Sequence, residues 1–298
     1  MTSFHLLHSV LNRRDEYMKT AVLDAGGGLR GIYGAGVLDY CVDHGIRFDF
    51  GIGVSAGAAN LSSYIASQSG RNYNYYVEYS QRPEYMSLRN FRTRGSYIDM
   101  DYIYGTLSNA GGEYPLDYDA LMKTDQQLYV VATNALTGRP VYFSKEDMSQ
   151  DHYEIISASC SIPVVNKPYY VKGIPFYDGA LTDPIPVNKA LELGADRIVL
   201  ILTKPESEIR NARKDTWLAG HMRHYRKAAG ELKTRSDKYN RGVAQVQQLV
   251  REGRALIIAP DDTCGVSTLS RDPEDIKALY AKGYKDAEKI LEFMQQEA

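Results

Sequence analysis

The sequence predicts an α/β fold built on a central, mostly parallel sheet with helices on both faces. Three observations predict it. An apolar run at 20–25 (TAVLDA) ends in glycines and leads into a helical stripe, and a second at 48–54 passes directly into an Ala-rich stretch. Further unbroken apolar runs recur at 197–203 and 255–259. Strands covered on both faces read as continuous apolar runs, and alternating strand and helix is how parallel strands are connected.

The elements follow in order. After the first strand, Val37, Leu38, Cys41 and Val42 form one helical stripe that His44 and Gly45 terminate. The second strand gives way at Ser55 to a helix over 56–67, with Leu61 and Ile65 four apart. From 70 to 123 the pattern degrades into Tyr-rich, Arg-containing sequence that reads as an insertion or cap. Strand patterning resumes at 127–132, turns at 137–140 and returns at 141–144, a hairpin. A helix is expected over 148–159, two extended pieces about Lys172 and Gly173, and a closing amphipathic helix over 273–295. The whole chain, 1–298, reads as one domain, with core motifs at about 20–203 and a helical part at about 204–298.

Composition narrows the function. At 298 residues and 44% hydrophobic content the chain can bury a large core, and a net charge of −2 gives no electrostatic case for nucleic acid. Cys41, Cys160 and Cys264 are odd in number and far apart, which argues for neither a disulfide framework nor a zinc site and suits a reducing compartment. The N-terminal stretch has its charges after its short apolar run, the reverse of a secretory signal, and no run of about 18 apolar residues would span a membrane. A cytoplasmic protein is expected. Of 24 tyrosines, eleven lie between Tyr64 and Tyr118, where their amphipathic rings would suit a lipid interface or the packing of a helical insertion equally. The stretch 210–254 carries twelve Lys or Arg. A charge-rich helical pair is usually a solvated face, the reading favoured here over contact with anionic headgroups.

The chemistry concentrates in three places. Gly53, Val54, Ser55, Ala56 and Gly57 form a G-x-S-x-G where a strand hands over to a helix. Such a turn lifts a serine hydroxyl clear of the backbone, and the helix N-terminus favours developing negative charge. Gly26, Gly27, Gly28, Leu29, Arg30 and Gly31 follow the first strand, and consecutive glycines let several N–H groups converge on one oxyanion, with Arg30 as a fixed positive charge. The same hexapeptide fits a dinucleotide fingerprint, but no acid ends the second strand to hold a ribose. Asp178, with Gly179 and Ala180 beside it, is the better base, since none of His5, His8, His44, His152, His221 and His224 sits where a triad histidine belongs.

Together these residues resemble the patatin-like phospholipase family. GGGLRG at 26–31 is similar to its oxyanion loop, GVSAG at 53–57 to its nucleophile elbow, DGA at 178–180 to its catalytic-aspartate motif, and ASCSIP at 158–163 to the block preceding that aspartate. The resemblance covers about 20–203 and is loose elsewhere. It implies a three-layer αβα fold, a Ser55–Asp178 dyad without histidine, no metal or cofactor, and hydrolysis of lipid or fatty-acyl esters. By the same resemblance Gly27, Gly28 and Ala56 supply oxyanion N–H groups. Two rivals stand beside it: a non-catalytic lipid-binding module on the same fold, and a dinucleotide-binding oxidoreductase.

Overall fold

The computed structural model describes residues 18–296. The reading of the N-terminal apolar stretch, with His5 and His8, lies outside them. In chain order the elements are β1 (Thr20–Asp24), α1 (Ile32–Asp43), β2 (Phe50–Val54), α2 (Ala56–Ile65), α3 (Arg71–Val77), α4 (Leu88–Arg94), a π-helical segment (Asp101–Leu107), α5 (Tyr118–Lys123), β3 (Gln127–Asn134) and β4 (Pro140–Ser144). There follow α6 (Glu154–Ser159), β5 (Tyr169–Val171), β6 (Ile174–Asp178), α7 (Val187–Glu192), β7 (Arg197–Ile201), α8 (Arg213–Ala219), α9 (Arg226–Arg251), β8 (Ala255–Ile258), α10 (Pro273–Asp286) and α11 (Glu288–Gln295).

The sheet runs β5-β6-β3-β2-β1-β7-β8, with β4 also paired to β3. Strands β3, β2, β1, β7 and β8 are parallel; β4 and β6 run antiparallel to β3, which makes the sheet mixed but mostly parallel. Side chains alternate between its two faces because strand periodicity is two. Val22, Val199 and Ile201 join the cluster formed with α1, α2 and α10, while Ala21, Leu23, Ile198 and Leu200 face Val187, Tyr239, Val243 and Val246 of α7 and α9. The result is the expected three layers. On α9 the buried positions Leu232, Ser236, Tyr239, Val243 and Val246 recur every three or four residues, so its many basic side chains fall on the outer face.

The structure departs from the expected elements in three places. The helix expected over 148–159 begins only at Glu154, because Ser149 and His152 close a turn in which Asp151 has φ 64°. The closing helix is broken at Ala287, where the N–H of Ile290 reaches back only three residues, to the Ala287 carbonyl. Helix α7 follows Pro184 and Pro186 and is too short for its stripe to register in sequence. None of the eleven tyrosines from Tyr64 to Tyr118 is exposed; Tyr64, Tyr75, Tyr76, Tyr79 and Tyr85 are buried. Of the two readings of the tyrosine cluster, the packing of a helical insertion is the one that fits, since α3 folds over α1 and α2 and turns its rings into the interior.

Candidate active site

At the C-terminal end of β2 the chain turns so sharply into α2 that Ser55 takes φ 56° and ψ −130°. A non-glycine residue there carries strain of about 1–3 kcal/mol, which the surroundings must hold in place. Ser159, the last residue of α6, does part of this: its hydroxyl accepts the Ser55 N–H at 2.8 Å and donates to the Val131 carbonyl at 2.7 Å. Ser55 is 6% exposed.

Asp178 ends β6, the strand beside β3, and is 5% exposed. Its N–H bonds the Ser161 carbonyl at 2.9 Å, its carbonyl accepts from Thr133 Oγ1 at 2.8 Å, and its carboxylate accepts the Ala180 N–H at 2.8 Å. Burial pushes the carboxyl above its ordinary value; the Ser55 hydroxyl, close enough to act as a hydrogen-bond donor, opposes the shift, with the Ala180 N–H and the charge of Arg235. The two residues, 123 positions apart, are thus brought together by the pairing of β2 with β3 and of β3 with β6.

The glycine loop closes the other side. Gly26 has φ 60°, and a Cβ there would sit 2.2 Å from the Val54 carbonyl oxygen, so the loop lies directly on the elbow. Its N–H bonds Asp24 at 2.9 Å and its carbonyl accepts from Thr203 Oγ1 at 2.6 Å. The N–H groups of Gly27, Gly28 and Ala56 carry no hydrogen bond among the described residues. Unpaired N–H groups of this kind can receive an oxyanion. Arg30 is placed differently from expectation: its guanidinium bonds Thr268 Oγ1 at 3.1 Å, lies outside the pocket wall, and is pushed down to about 10 by burial and by Arg210. Gly31 likewise stands behind the wall, its carbonyl accepting from Asn60 at 2.8 Å, while Gly53 and Gly57 flank the serine from below.

Sequence reasoning missed the residues that hold this loop. Asp24 is fully buried, with Asn60 Nδ2 on its second oxygen at 2.9 Å, and Tyr76 donates to Asn60 Oδ1 at 3.1 Å. Burial pushes the Asp24 carboxyl up to about 6 against those bonds, so the fold loses stability as pH rises from 3.8 through about 6. The acid closing the first apolar run was the one available signal; Thr203 and Thr268 gave none.

A pocket opens beside Ser55, lined mainly by apolar and aromatic side chains with a few polar groups, as small-molecule sites are. Gly28, Ala56, Thr268 and, from the insertion, Tyr76, Met86 and Ile98 help to line it. His44, His152, His221 and His224 are all exposed and none lines it. Among the described residues no His, Cys, Asp and Glu cluster could hold a metal ion, and no helix is long and apolar enough to cross a membrane. The three cysteines are free thiols.

Residues 24–191 match the family described as patatin-like phospholipase, and residues 225–297 match a domain of unknown function, DUF6363. Over 192 residues the chain is 32% identical to the uncharacterized protein YjjU of Escherichia coli (strain K12), covering 63% of this chain and 52% of that one. The chain thus spans about half the length of that curated relative. Among solved structures, VipD from Legionella pneumophila is similar with a TM-score of 0.44 and 15% identity, over 92% of this chain and 67% of that one.

Proposed function

This chain belongs to the patatin-like phospholipase family, and from that premise we propose that it is a serine acyl hydrolase of lipid esters, with Ser55 as nucleophile and Asp178 as base. The observation that carries the reading is the convergence, at the head of one pocket, of a strained serine, a buried carboxylate beside it and three unpaired backbone N–H groups. In the first half-reaction Asp178 accepts the Ser55 proton as Oγ bonds to the ester carbonyl carbon. The carbonyl oxygen becomes an oxyanion held by the N–H groups of Gly27, Gly28 and Ala56. Collapse expels the alcohol, which takes its proton from Asp178, and leaves an acyl-Ser55. Water then repeats the sequence, releasing the fatty acid and restoring both residues. Each oxyanion donor is worth on the order of 100-fold in rate.

The test is hydrolysis of a panel of phospholipids, lysophospholipids, acylglycerols and p-nitrophenyl esters, with Ser55→Ala as control. Activity on at least one class, absent from the control, is expected; vesicle binding with no turnover would favour a non-catalytic lipid-binding module. The pH profile carries a second expectation. Because burial raises the Asp178 pKa, the ionised base is lost earlier on acidification, so the acid limb of kcat/KM should lie above the ordinary carboxylate value of 3.8.

Contact with a membrane surface falls to α4 in this reading. Leu88 is 65% and Phe91 44% exposed, with Arg89, Arg92 and Arg94 exposed beside them. The helix sits between Met86 and Ile98, which pair with each other and both line the pocket. Exposed apolar side chains among arginines suit an anionic bilayer. Replacing Leu88 and Phe91 together by Ser should lower hydrolysis of vesicle lipid at least about fivefold and leave a soluble short-chain ester unaffected; equal effects on both substrates would contradict it. Free thiols throughout suit a reducing, cytoplasmic setting.

A further inference from the structure

Arg71, the first residue of α3, is 3% exposed and takes part in no ion pair among the described residues. Its partners are all neutral. Nε lies 3.3 Å from the Tyr114 and Pro115 carbonyls, Nη1 donates to Ser63 at 3.0 Å, and Nη2 donates to Tyr75 and Ser108 at 3.0 and 2.8 Å. These bonds occupy four of the five N–H groups of a guanidinium, and the Tyr75 ring lies 4.5 Å from its centre, but no carboxylate among the described residues balances its charge. A buried charge without a counter-ion is costly.

A second buried cation shows what full local satisfaction looks like. Lys145 Nζ has three donors, meets three carbonyls and lines no part of the pocket. Arg71, by contrast, lines the Ser55 pocket, and among the described residues no other charged side chain does so. The pocket wall is otherwise apolar or neutral, with Tyr75, Tyr85 and Tyr104 beside the arginine.

We propose that Arg71 is the anion-recognition residue of this pocket, and that the ester cleaved at Ser55 carries a phosphate or carboxylate group that pairs with its guanidinium. The inference rests on the hydrolase reading and names its substrate class: an anionic ester. The oxyanion could come from the alcohol side, as a phosphorylated headgroup, or from the far end of the acyl chain, as a terminal carboxylate. Arginine suits either, since its planar donors match both groups.

Two substrate pairs separate the sources. A lysophosphatidylglycerol against a monoacylglycerol of the same chain tests the headgroup side; the p-nitrophenyl half-ester of glutaric acid against p-nitrophenyl valerate tests the acyl side. The wild type should prefer the anionic member of one pair about ten- to a hundredfold in kcat/KM, the loss expected when a charged hydrogen bond is removed. Arg71→Gln should erase that preference while keeping activity on the neutral member, and Arg71→Lys should retain part of it. No preference in either pair, or a preference that survives in Arg71→Gln, overturns the proposal. Because Arg71 also ties α3 to the 108–115 segment, Arg71→Gln could fail to fold; inhibition of the wild type then decides. Hexyl phosphate should inhibit hydrolysis of p-nitrophenyl valerate at a concentration at least about tenfold below that of hexanol and should raise the melting temperature, whereas equal potency overturns the proposal. A protein that hydrolyses no ester refutes the hydrolase reading instead, and the melting shift with hexyl phosphate still reads the anion site.

Discussion

Asp178→Asn is expected to remove ester hydrolysis almost as completely as Ser55→Ala, leaving less than about a thousandth of wild-type kcat/KM. The amide keeps the shape of the carboxylate and can accept the Ala180 N–H as Asp178 does, but it cannot take a proton from Ser55. The loss should appear in kcat, because the base acts in the transition state and makes no contact required for ground-state binding. The paired change His221→Ala and His224→Ala should stay within about twofold of wild type. Both rings are exposed, and His221 packs on Trp217 with its Nδ1 at 3.0 Å from the Trp217 carbonyl. A dead histidine variant that is still folded, beside an Asp178→Asn that keeps more than about a tenth of the activity, would transfer the base role to an imidazole.

The second large effect is expected at Gly57, whose backbone lies against Asp24. A Cβ on Gly57 would stand 2.3 Å from the Asp24 carbonyl oxygen and 2.7 Å from its carboxyl group. Neither can yield easily: the backbone of Asp24 is inside β1, and its carboxylate is fixed by Gly26 and Asn60. Gly57→Ala should therefore separate the elbow from the glycine loop, lowering stability by about 1–3 kcal/mol and activity by more than about a hundredfold. The control is Gly230→Ala in α9, where nothing lies within 4 Å of the added methyl and the fold should gain about 0.5–1 kcal/mol. Melting curves and kcat/KM for the two variants check both; a Gly57→Ala enzyme with wild-type activity would show that loop and elbow need not touch.

What the sequence made legible, and what it did not, follows from the range of the interactions. Strands β1, β2, β7 and β8 announced themselves because both faces of each are covered, so their central positions are apolar. Ser55 and the glycine loop were legible because a tight turn demands small residues next to it in sequence. Asp178 was readable through its own small neighbours, one of which, Gly179, lies against the Val131 carbonyl. Thr203, Thr268 and Asn60 were not, since each acts through hydrogen bonds across the fold, and a lone Thr or Asn leaves no local pattern. Arg30 misled for the same reason: its position in the loop is local, but the direction of its side chain is set by Thr268, 238 residues away. The tyrosine cluster showed composition without direction, and only tertiary packing, such as that of α3 on α1 and α2, turns those rings inward.

The central claim is that Ser55 is an activated nucleophile at the head of a lipid pocket, and the most direct measurement is covalent capture. Purified protein would be treated with a long-chain alkyl fluorophosphonate, digested and mapped by mass spectrometry. The account predicts one adduct, on Ser55, formed within minutes near neutral pH, slowed at least about a hundredfold in Asp178→Asn and absent in Ser55→Ala. A folded wild-type protein that remains unlabelled, or an adduct on a serine other than Ser55, would contradict it.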